Sequence, residues 1–202
     1  METKIIKVTA ADIEIINEAA ELINRGEIVA FPTETVYGLG ADAFNVEACK
    51  KIYEVKGRPN NKPLSFMVAS REMIEDIVVV SKLADKLINT FLPGALTFIL
   101  PSININSTIG IRMPDNEIAL ALIKSAGCPI AAPSANLSGQ AAPVSAQEVF
   151  KSFNGKIPLI LDGGICQCGI SSTIVDLTGE EPLILREGAI KNEDIFNVLK
   201  SK

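Results

Sequence analysis

Residues 31–40 read FPTETVYGLG, and they mark the point where a strand gives way to a ligand-binding loop. A β-type run over residues 27–31 breaks at Pro32 into hydroxyls, one carboxylate and two glycines. Such a loop lets the backbone approach a small ligand closely. Cations follow soon after, at Lys56, Arg58 and Lys62. The stretch therefore predicts a strand of an α/β-type fold followed by a loop that binds an anionic ligand.

Working outward, apolar periodicity predicts strands that alternate with helices and then strands with few helices, which is typical of a mixed sheet in an α/β or α+β fold. A capping box of Thr9 and Asp12 is expected to open the first helix, with Ile13 on its apolar stripe. One domain over residues 1–202 is expected. The predicted strands are 4–8, 27–31, 64–69, 95–100, 108–113, 130–132, 158–161, 173–177 and 183–186, and the predicted helices are 9–24, 46–56, two before 91, 117–125, one opened by Ser145, and one closing near 199.

Composition excludes several classes of function. The 202 residues contain no histidine, so no Ser-His-Asp, Cys-His or histidine-base mechanism is available. The net charge of −5 argues against a general nucleic-acid binder. No apolar run approaches the ~18 residues that read as a membrane span, and no signal peptide is recognisable. A cytoplasmic protein without a membrane partner is expected.

The four cysteines, at 49, 128, 166 and 168, show no disulfide-framework spacing, so reduced thiols are expected. Cys166 and Cys168 have the spacing of half a metal site. Because no histidine is present and the other cysteines are distant in sequence, no metal site is predicted from them. Their role stays open.

Each candidate motif also has a plain structural interpretation. By spacing alone, Lys56, Gly57 and Arg58 favour a helix stop over a phosphate site, although the two interpretations are compatible. Gly110 in a strand indicates either weak packing or close approach of a ligand. SANLSG at 134–139 is an ordinary turn by composition, SSTIVD at 171–176 has the same ambiguity, and Arg186 before Glu187 is typical of a surface pair.

Taken together and in this order, the segments resemble the YrdC/Sua5 family, the threonylcarbamoyl-adenylate synthases of tRNA modification. The resemblance covers nearly the whole chain and implies a twisted mixed sheet flanked by helices, with an open concave face that carries the motifs. It implies the short, single-domain form, because longer members carry a second domain. Some relatives have a polar side chain where Met67 stands, so backbone or apolar contact is expected there.

The resemblance also implies roles for individual residues. The KxR and SxN signature of the family, taken as catalytic, falls on Lys56, Arg58, Ser134 and Asn136. The threonine site falls on Thr35, Met67, Arg112, Ala132 and Ser172. The ATP site falls on Arg58, Lys62, Thr108, Ser134, Ala142 and Arg186.

The implied reaction joins L-threonine, bicarbonate or CO2, and ATP into threonylcarbamoyl-AMP and pyrophosphate, for the t6A37 modification of tRNA. Mg²⁺ is expected with ATP, and a threonylcarbamoyl-transferase complex is the expected downstream partner. Two alternatives stay open: a carbamoyl-transfer module of the hydrogenase-maturation type, and a non-catalytic protein that binds double-stranded RNA or tRNA. The acidic net charge and the 5% of aromatic residues disfavour the RNA-binding alternative.

Overall fold

The computed structural model describes residues 2–200, and the described part of the chain forms ten strands and seven helices. The strands are β1 Lys4–Lys7, β2 Val29–Phe31, β3 Gly38–Asp42, β4 Ser65–Met67, β5 Leu96–Pro101, β6 Thr108–Arg112, β7 Ile130–Ala131, β8 Leu159–Asp162, β9 Thr173–Asp176 and β10 Leu183–Arg186. The helices are α1 Ile13–Asn24, α2 Val46–Lys56, α3 Arg71–Glu75, α4 Lys82–Phe91, α5 Glu117–Ala126, α6 Ala146–Phe153 and α7 Asn192–Lys200.

The strands form one sheet in the order β1-β8-β2-β3-β7-β4-β6-β5-β9-β10. The pairs β1–β8, β2–β8, β4–β6 and β5–β9 are parallel. The remaining neighbours are antiparallel. Parallel neighbours need long crossover connections, which the intervening elements supply. The predicted mixed α/β fold is confirmed.

The two faces of the first half of the sheet are both covered. In β2, Val29 and Phe31 pack with residues of α1 and α5, whereas Ala30 packs on the opposite face with residues of α2 and α6. Successive residues of a strand point to opposite faces, so this one short strand contributes side chains to two separate hydrophobic cores. This explains why β2 reads as a continuous apolar run instead of an alternating one.

The second half of the sheet is covered by helices on one face only. Leu96 and Phe98 of β5 and Val175 of β9 pack in a third core with residues of α3, α4 and α7. The alternate residues of the same strands, among them Thr97 and Ile174, face a cleft instead. The fold therefore leaves the face of β6, β5 and β9 opposite the third core open for a ligand.

The structure corrects the prediction for residues 38–42, which form strand β3 instead of a ligand loop. Their glycines serve packing as well as access. A Cβ on Gly40 would lie 2.6 Å from the ring of Phe31 and 2.7 Å from Ile130, so the ring of Phe31 packs against bare backbone. Two glycines lower strand propensity, which is why the sequence pattern concealed this strand.

The predicted start of the first helix is also wrong. Asp12 Oδ2 accepts hydrogen bonds from the backbone N–H and the hydroxyl of Thr9, each at 2.7 Å, as in a capping box. The helix nevertheless begins only at Ile13, and Ile13 is 65% exposed instead of joining the apolar stripe. Ile16, Ala20 and Ile23 are buried as predicted, since they follow the helical period.

Within residues 2–200, no helix is both long enough and apolar enough to cross a bilayer.

Candidate active site

The open face of the sheet carries a cleft with a volume of about 380 Å³. Its floor comes from β4, β6, β5 and β9, and its walls come from the segments around residues 36–38, 58–65, 132–134 and 171–172. Four cations line it, whereas no aspartate or glutamate of the described residues does. The cations are Arg58, Lys62, Arg112 and Arg186. A positive cleft in an acidic protein is suited to a small anion.

Arg58 stands just beyond the end of α2. Gly57 ends this helix with a φ of 58°, a left-handed conformation that glycine adopts without strain. Arg58 then donates from Nε to the carbonyl of Lys62 at 3.0 Å and from Nη2 to the carbonyl of Pro63 at 2.9 Å. The helix-stop and cleft interpretations of this motif therefore coexist, because the stop itself turns Arg58 into the cleft.

Arg112 is almost fully buried at the inner end of the cleft. Its Nε donates to the carbonyl of Gly94 at 3.1 Å, and its Nη2 donates to Thr35 Oγ1 at 2.8 Å. Nη2 also lies 2.7 Å from Glu34 Oε1, with the two side chains only 6% and 12% exposed. Neither carboxylate oxygen of Glu34 has the geometry of a hydrogen bond with another group. The pair is therefore held by charge in a poorly hydrated setting.

Arg186, on the edge strand β10, is anchored in a similar way. Its Nε and Nη2 donate to the carbonyl of Ser172 at 3.1 and 2.8 Å. It does not pair with Glu187, as the surface interpretation of the sequence would require; Glu187 instead lies 3.6 Å from Lys191. Burial lowers the pKa of Arg186, and repulsion from Arg112 and Arg58 lowers it further by a smaller amount. The three guanidinium groups are thus close enough to repel one another, and an anion between them would relieve that repulsion.

Lys56 does not line the cleft and is buried in the protein instead. It is 3% exposed, and its Nζ donates to the carbonyls of Ser134 and Asn136, each at 2.5 Å. In return, the carbonyl of Lys56 accepts from the backbone N–H of Ser138 at 2.9 Å. Inside the turn, the Ser134 hydroxyl contacts Asn136 Oδ1 at 2.5 Å. Lys56 and Asn136 therefore hold the turn that presents Ser134 to the cleft.

The buried ammonium of Lys56 predicts an unusual pH dependence of stability. Burial, followed by repulsion from Arg58, lowers the pKa of Lys56 from 10.5 to about 8. Between these values the unfolded chain binds a proton that the folded chain does not, so this lysine makes stability rise with pH. We therefore compare the free energy of unfolding of wild type with that of a Lys56→Met variant. Between pH 8 and 10.5, the difference should shift in favour of wild type by up to about 1.4 kcal/mol per pH unit.

Denaturant unfolding of both proteins across this pH range measures the difference. Burial raises the pKa of Cys166 to about 11, which makes stability fall with pH in part of the same range. This effect is present in both proteins, so it cancels when the unfolding free energy of the variant is subtracted from that of wild type. Lys151→Met, on the exposed side of α6, is the matched control and should run parallel to wild type. Parallel curves for Lys56→Met and wild type would contradict the expectation.

The structure brings most of the residues implied by the resemblance to the cleft, whereas four others do not line it. Lining the cleft are Arg58, Lys62, Met67, Thr108, Arg112, Ala132, Ser134, Ser172 and Arg186. The four that do not line it are Thr35, Lys56, Asn136 and Ala142. Thr35 lies directly behind Arg112, as its hydrogen bond shows. The individual roles of these residues in binding and catalysis stay predictions.

Sequence reasoning missed several polar groups at or behind the cleft, among them Ser65, Thr97 and Glu34. Ser65 and Thr97 flank Gly110, where a Cβ would lie 2.9 Å from Ser65 Oγ and 3.5 Å from Thr97 Cγ2. The one available signal was a hydroxyl inside an otherwise apolar strand, as in LTFILP at 96–101. Threonine is common in strands, so this signal is weak on its own.

Among the described residues, the cleft has no carboxylate that could bind Mg²⁺ directly. Magnesium prefers carboxylate and water oxygens, and no carboxylate of residues 2–200 lines the cleft. No group of three or more histidine, cysteine, aspartate or glutamate side chains in the same residues could hold a metal ion. The four cysteines are free thiols.

Comparison with known proteins identifies a family and several relatives of this chain. The family model Sua5_yciO_yrdC, described as "Telomere recombination", matches residues 21–188. The threonylcarbamoyl-AMP synthase of Bacillus subtilis (strain 168) is 46% identical over 194 residues, which cover 91% of this chain and 56% of that protein. The chain therefore spans little more than half the length of this relative. A putative threonylcarbamoyl-AMP synthase of Methanocaldococcus jannaschii is 36% identical over 94% of this chain and 95% of its own length.

A solved structure agrees closely in fold. The crystal structure of Pyrococcus abyssi Sua5 complexed with L-threonine superposes with a TM-score of 0.94 at 42% identity, covering 99% of this chain and 61% of that one.

Proposed function

Because this chain belongs to the Sua5/YciO/YrdC family, we propose that it is an L-threonylcarbamoyladenylate synthase. It would join L-threonine, bicarbonate or CO2, and ATP into threonylcarbamoyl-AMP and release pyrophosphate. Relatives named threonylcarbamoyl-AMP synthase at 46% and 36% identity support the proposal. The structural relative complexed with L-threonine supports threonine as the amino acid.

The observation that carries the proposal is the charge of the cleft: four cations and no lining carboxylate among the described residues. A nucleoside triphosphate and the carboxylate of an amino acid are both anions, and one positive cleft can hold them side by side. Arg112 would bind the amino-acid carboxylate, close to the hydroxyls of Thr35 and Ser172. Arg58, Lys62 and Arg186 would neutralise phosphates, with each charge-assisted bond contributing roughly 1.5–3 kcal/mol.

The chemistry needs alignment more than it needs a protein nucleophile. The threonine amine forms an N–C bond with CO2 and releases a proton; with bicarbonate, a C–O bond breaks as the N–C bond forms, and water leaves with that proton. The carbamate oxygen then attacks the α-phosphorus, and the bond to the bridging oxygen breaks so that pyrophosphate leaves with the electron pair. Anchored arginines favour this step, because donors that are already oriented need no reorganisation as charge shifts to the leaving group.

Among the four residues of the family signature, we assign direct contact with the nucleotide to Arg58 and Ser134, which line the cleft. Lys56 and Asn136 would act by holding the turn. Thr108 would contact the nucleotide from the cleft, and Ala142 from outside its present lining. Met67 and Ala132 would supply apolar contacts to the threonine methyl group. Magnesium would arrive with the phosphates of ATP, since the cleft offers it no carboxylate.

The wider setting is also part of the proposal. Residues 2–200 share one continuous sheet, which supports a single domain. Four free thiols suit a reducing cytoplasm. The product would pass to a threonylcarbamoyl-transferase complex for t6A37, with tRNA as the final acceptor.

The two alternatives are less well supported. An RNA-binding surface needs exposed cations along an extended track, whereas the four lining cations converge on one cleft of about 380 Å³. The relatives named threonylcarbamoyl-AMP synthase favour neither RNA binding nor a hydrogenase-maturation module.

The direct test measures pyrophosphate and AMP-containing product from purified protein with each substrate omitted in turn. We expect release of pyrophosphate only when ATP, threonine and bicarbonate are all present. An Arg186→Ala preparation made in the same way controls for contaminating ATPases. Equal pyrophosphate release without threonine, or the formation of ADP and phosphate, would refute the proposal.

A further inference from the structure

Thr97 is a buried hydroxyl in an apolar strand. Its neighbours Leu96 and Phe98 pack in the core behind the sheet, while Thr97 faces the cleft and is only 3% exposed. Valine has nearly the same shape and suits a strand at least as well. A buried hydroxyl costs free energy unless it is hydrogen-bonded. The reason for threonine at this position should therefore be found in its hydrogen-bond partner.

That partner is Ser172, whose Oγ lies 2.8 Å from Thr97 Oγ1. Ser172 immediately precedes β9, which runs parallel to β5 with Leu96 opposite Thr173. Arg186 holds the carbonyl of Ser172 from the other side, and its Nη2 also lies 3.4 Å from Ser172 Oγ. Arg186 thus fixes mainly the backbone of Ser172, and Thr97 makes the shorter of the two contacts to its hydroxyl, at the place where the cleft would receive an amino acid.

We propose that Thr97 is a positioning residue that fixes the hydroxyl of Ser172, so that the pair recognises the side-chain hydroxyl of the amino-acid substrate. A serine hydroxyl can occupy three staggered rotamers, and the bond to Thr97 selects one of them. Whichever of the two hydroxyls donates to the other, one hydroxyl proton of the pair remains available for a ligand. This inference rests on the proposed function only in taking L-threonine as the ligand.

The test compares binding of L-threonine with binding of L-2-aminobutyrate, which is threonine without its hydroxyl, by calorimetry. We expect Thr97→Val to weaken threonine binding about tenfold and to leave 2-aminobutyrate binding unchanged. The reason is that the Thr97–Ser172 pair contacts only the side-chain hydroxyl of the substrate, which 2-aminobutyrate lacks. Thr97→Ser keeps the hydroxyl and should bind threonine within about twofold of wild type. The double variant Thr97→Val with Ser172→Ala should bind threonine no more weakly than Ser172→Ala alone, because Thr97 acts through Ser172.

Two results would overturn the positioning role: equal weakening for both ligands in Thr97→Val, or losses that multiply in the double variant. A crystal structure of unliganded Thr97→Val gives an answer that does not depend on the substrate. The Ser172 side chain should occupy more than one rotamer there, and a single unchanged rotamer would also overturn the role. If wild type binds neither amino acid, the proposed function fails, and this structure alone decides the role of Thr97.

Discussion

Replacing Arg112 with methionine should destabilise the protein by about 3–5 kcal/mol, because it leaves the carboxylate of Glu34 buried without its counterion. The ion pair of 2.7 Å joins side chains that are 6% and 12% exposed, and Glu34 has no other partner for its oxygens among the described residues. Adding Glu34→Gln should restore much of the lost stability, since it removes the unpaired charge. Threonine binding should be lost in both the single and the double variant, because Arg112 holds the substrate carboxylate in the proposed site.

Denaturant unfolding and calorimetric threonine titration of these variants separate the structural role from the binding role. Arg71→Met is the matched control, because Arg71 makes ion pairs of the same length, 2.7 Å, with Glu75 and Asp85, but does so at the surface. Exposed pairs contribute about 0–1 kcal/mol, so this control should remain near wild type. A loss below 1 kcal/mol in Arg112→Met would contradict the first expectation, and threonine binding by the double variant would contradict the second.

Replacing Arg58 with alanine should weaken ATP binding about 10- to 150-fold while changing the melting temperature little. The guanidinium lines the cleft, and it also holds the carbonyls of Lys62 and Pro63. Part of the loss should therefore arise because the segment that carries Lys62 is released. Arg58→Lys keeps the charge but not the planar fork, so its ATP affinity should fall between those of wild type and the alanine variant.

Gly57→Ala provides the control for the helix end beside Arg58. No atom lies within 4 Å of a Cβ built there, so only the left-handed backbone opposes the substitution, at a cost of about 1 kcal/mol. The folded fraction of this variant should bind ATP normally. Calorimetric titration with ATP and thermal melts of these variants test whether Arg58 binds ATP. Unchanged ATP affinity in Arg58→Ala would mean that the motif only ends the helix.

Local signals predicted the ends of several elements correctly. Asn45 and Ser145 accept hydrogen bonds from the backbone N–H groups three residues on, as N-cap residues do. Gly57 and Gly127 end their helices in the left-handed conformation. These features depend on only a few neighbouring residues, which is why the amino-acid pattern alone was enough to locate them.

Features that depend on distant contacts were not predictable from the sequence pattern. The strand β3 was hidden by its glycines, whose purpose is the ring of Phe31 packed against them. The inward direction of Lys56 depends on carbonyls about 80 residues away. The burial of Glu34 and the partner of Thr97 likewise appear only once β5, β6 and β9 lie side by side.

The anchors of the cleft arginines have a consequence for how the sequence can change over time. Arg58 and Arg186 are held by main-chain carbonyls alone or nearly so, and Arg112 takes one of its anchors from the carbonyl of Gly94. Every residue type supplies a carbonyl, so the anchoring itself does not depend on which side chains Lys62, Pro63 and Ser172 carry. Gly94 differs, because a Cβ there would collide with the backbone carbonyl of Phe91. The orientation of these cations is thus inherited through the path of the backbone more than through the identity of the neighbouring side chains.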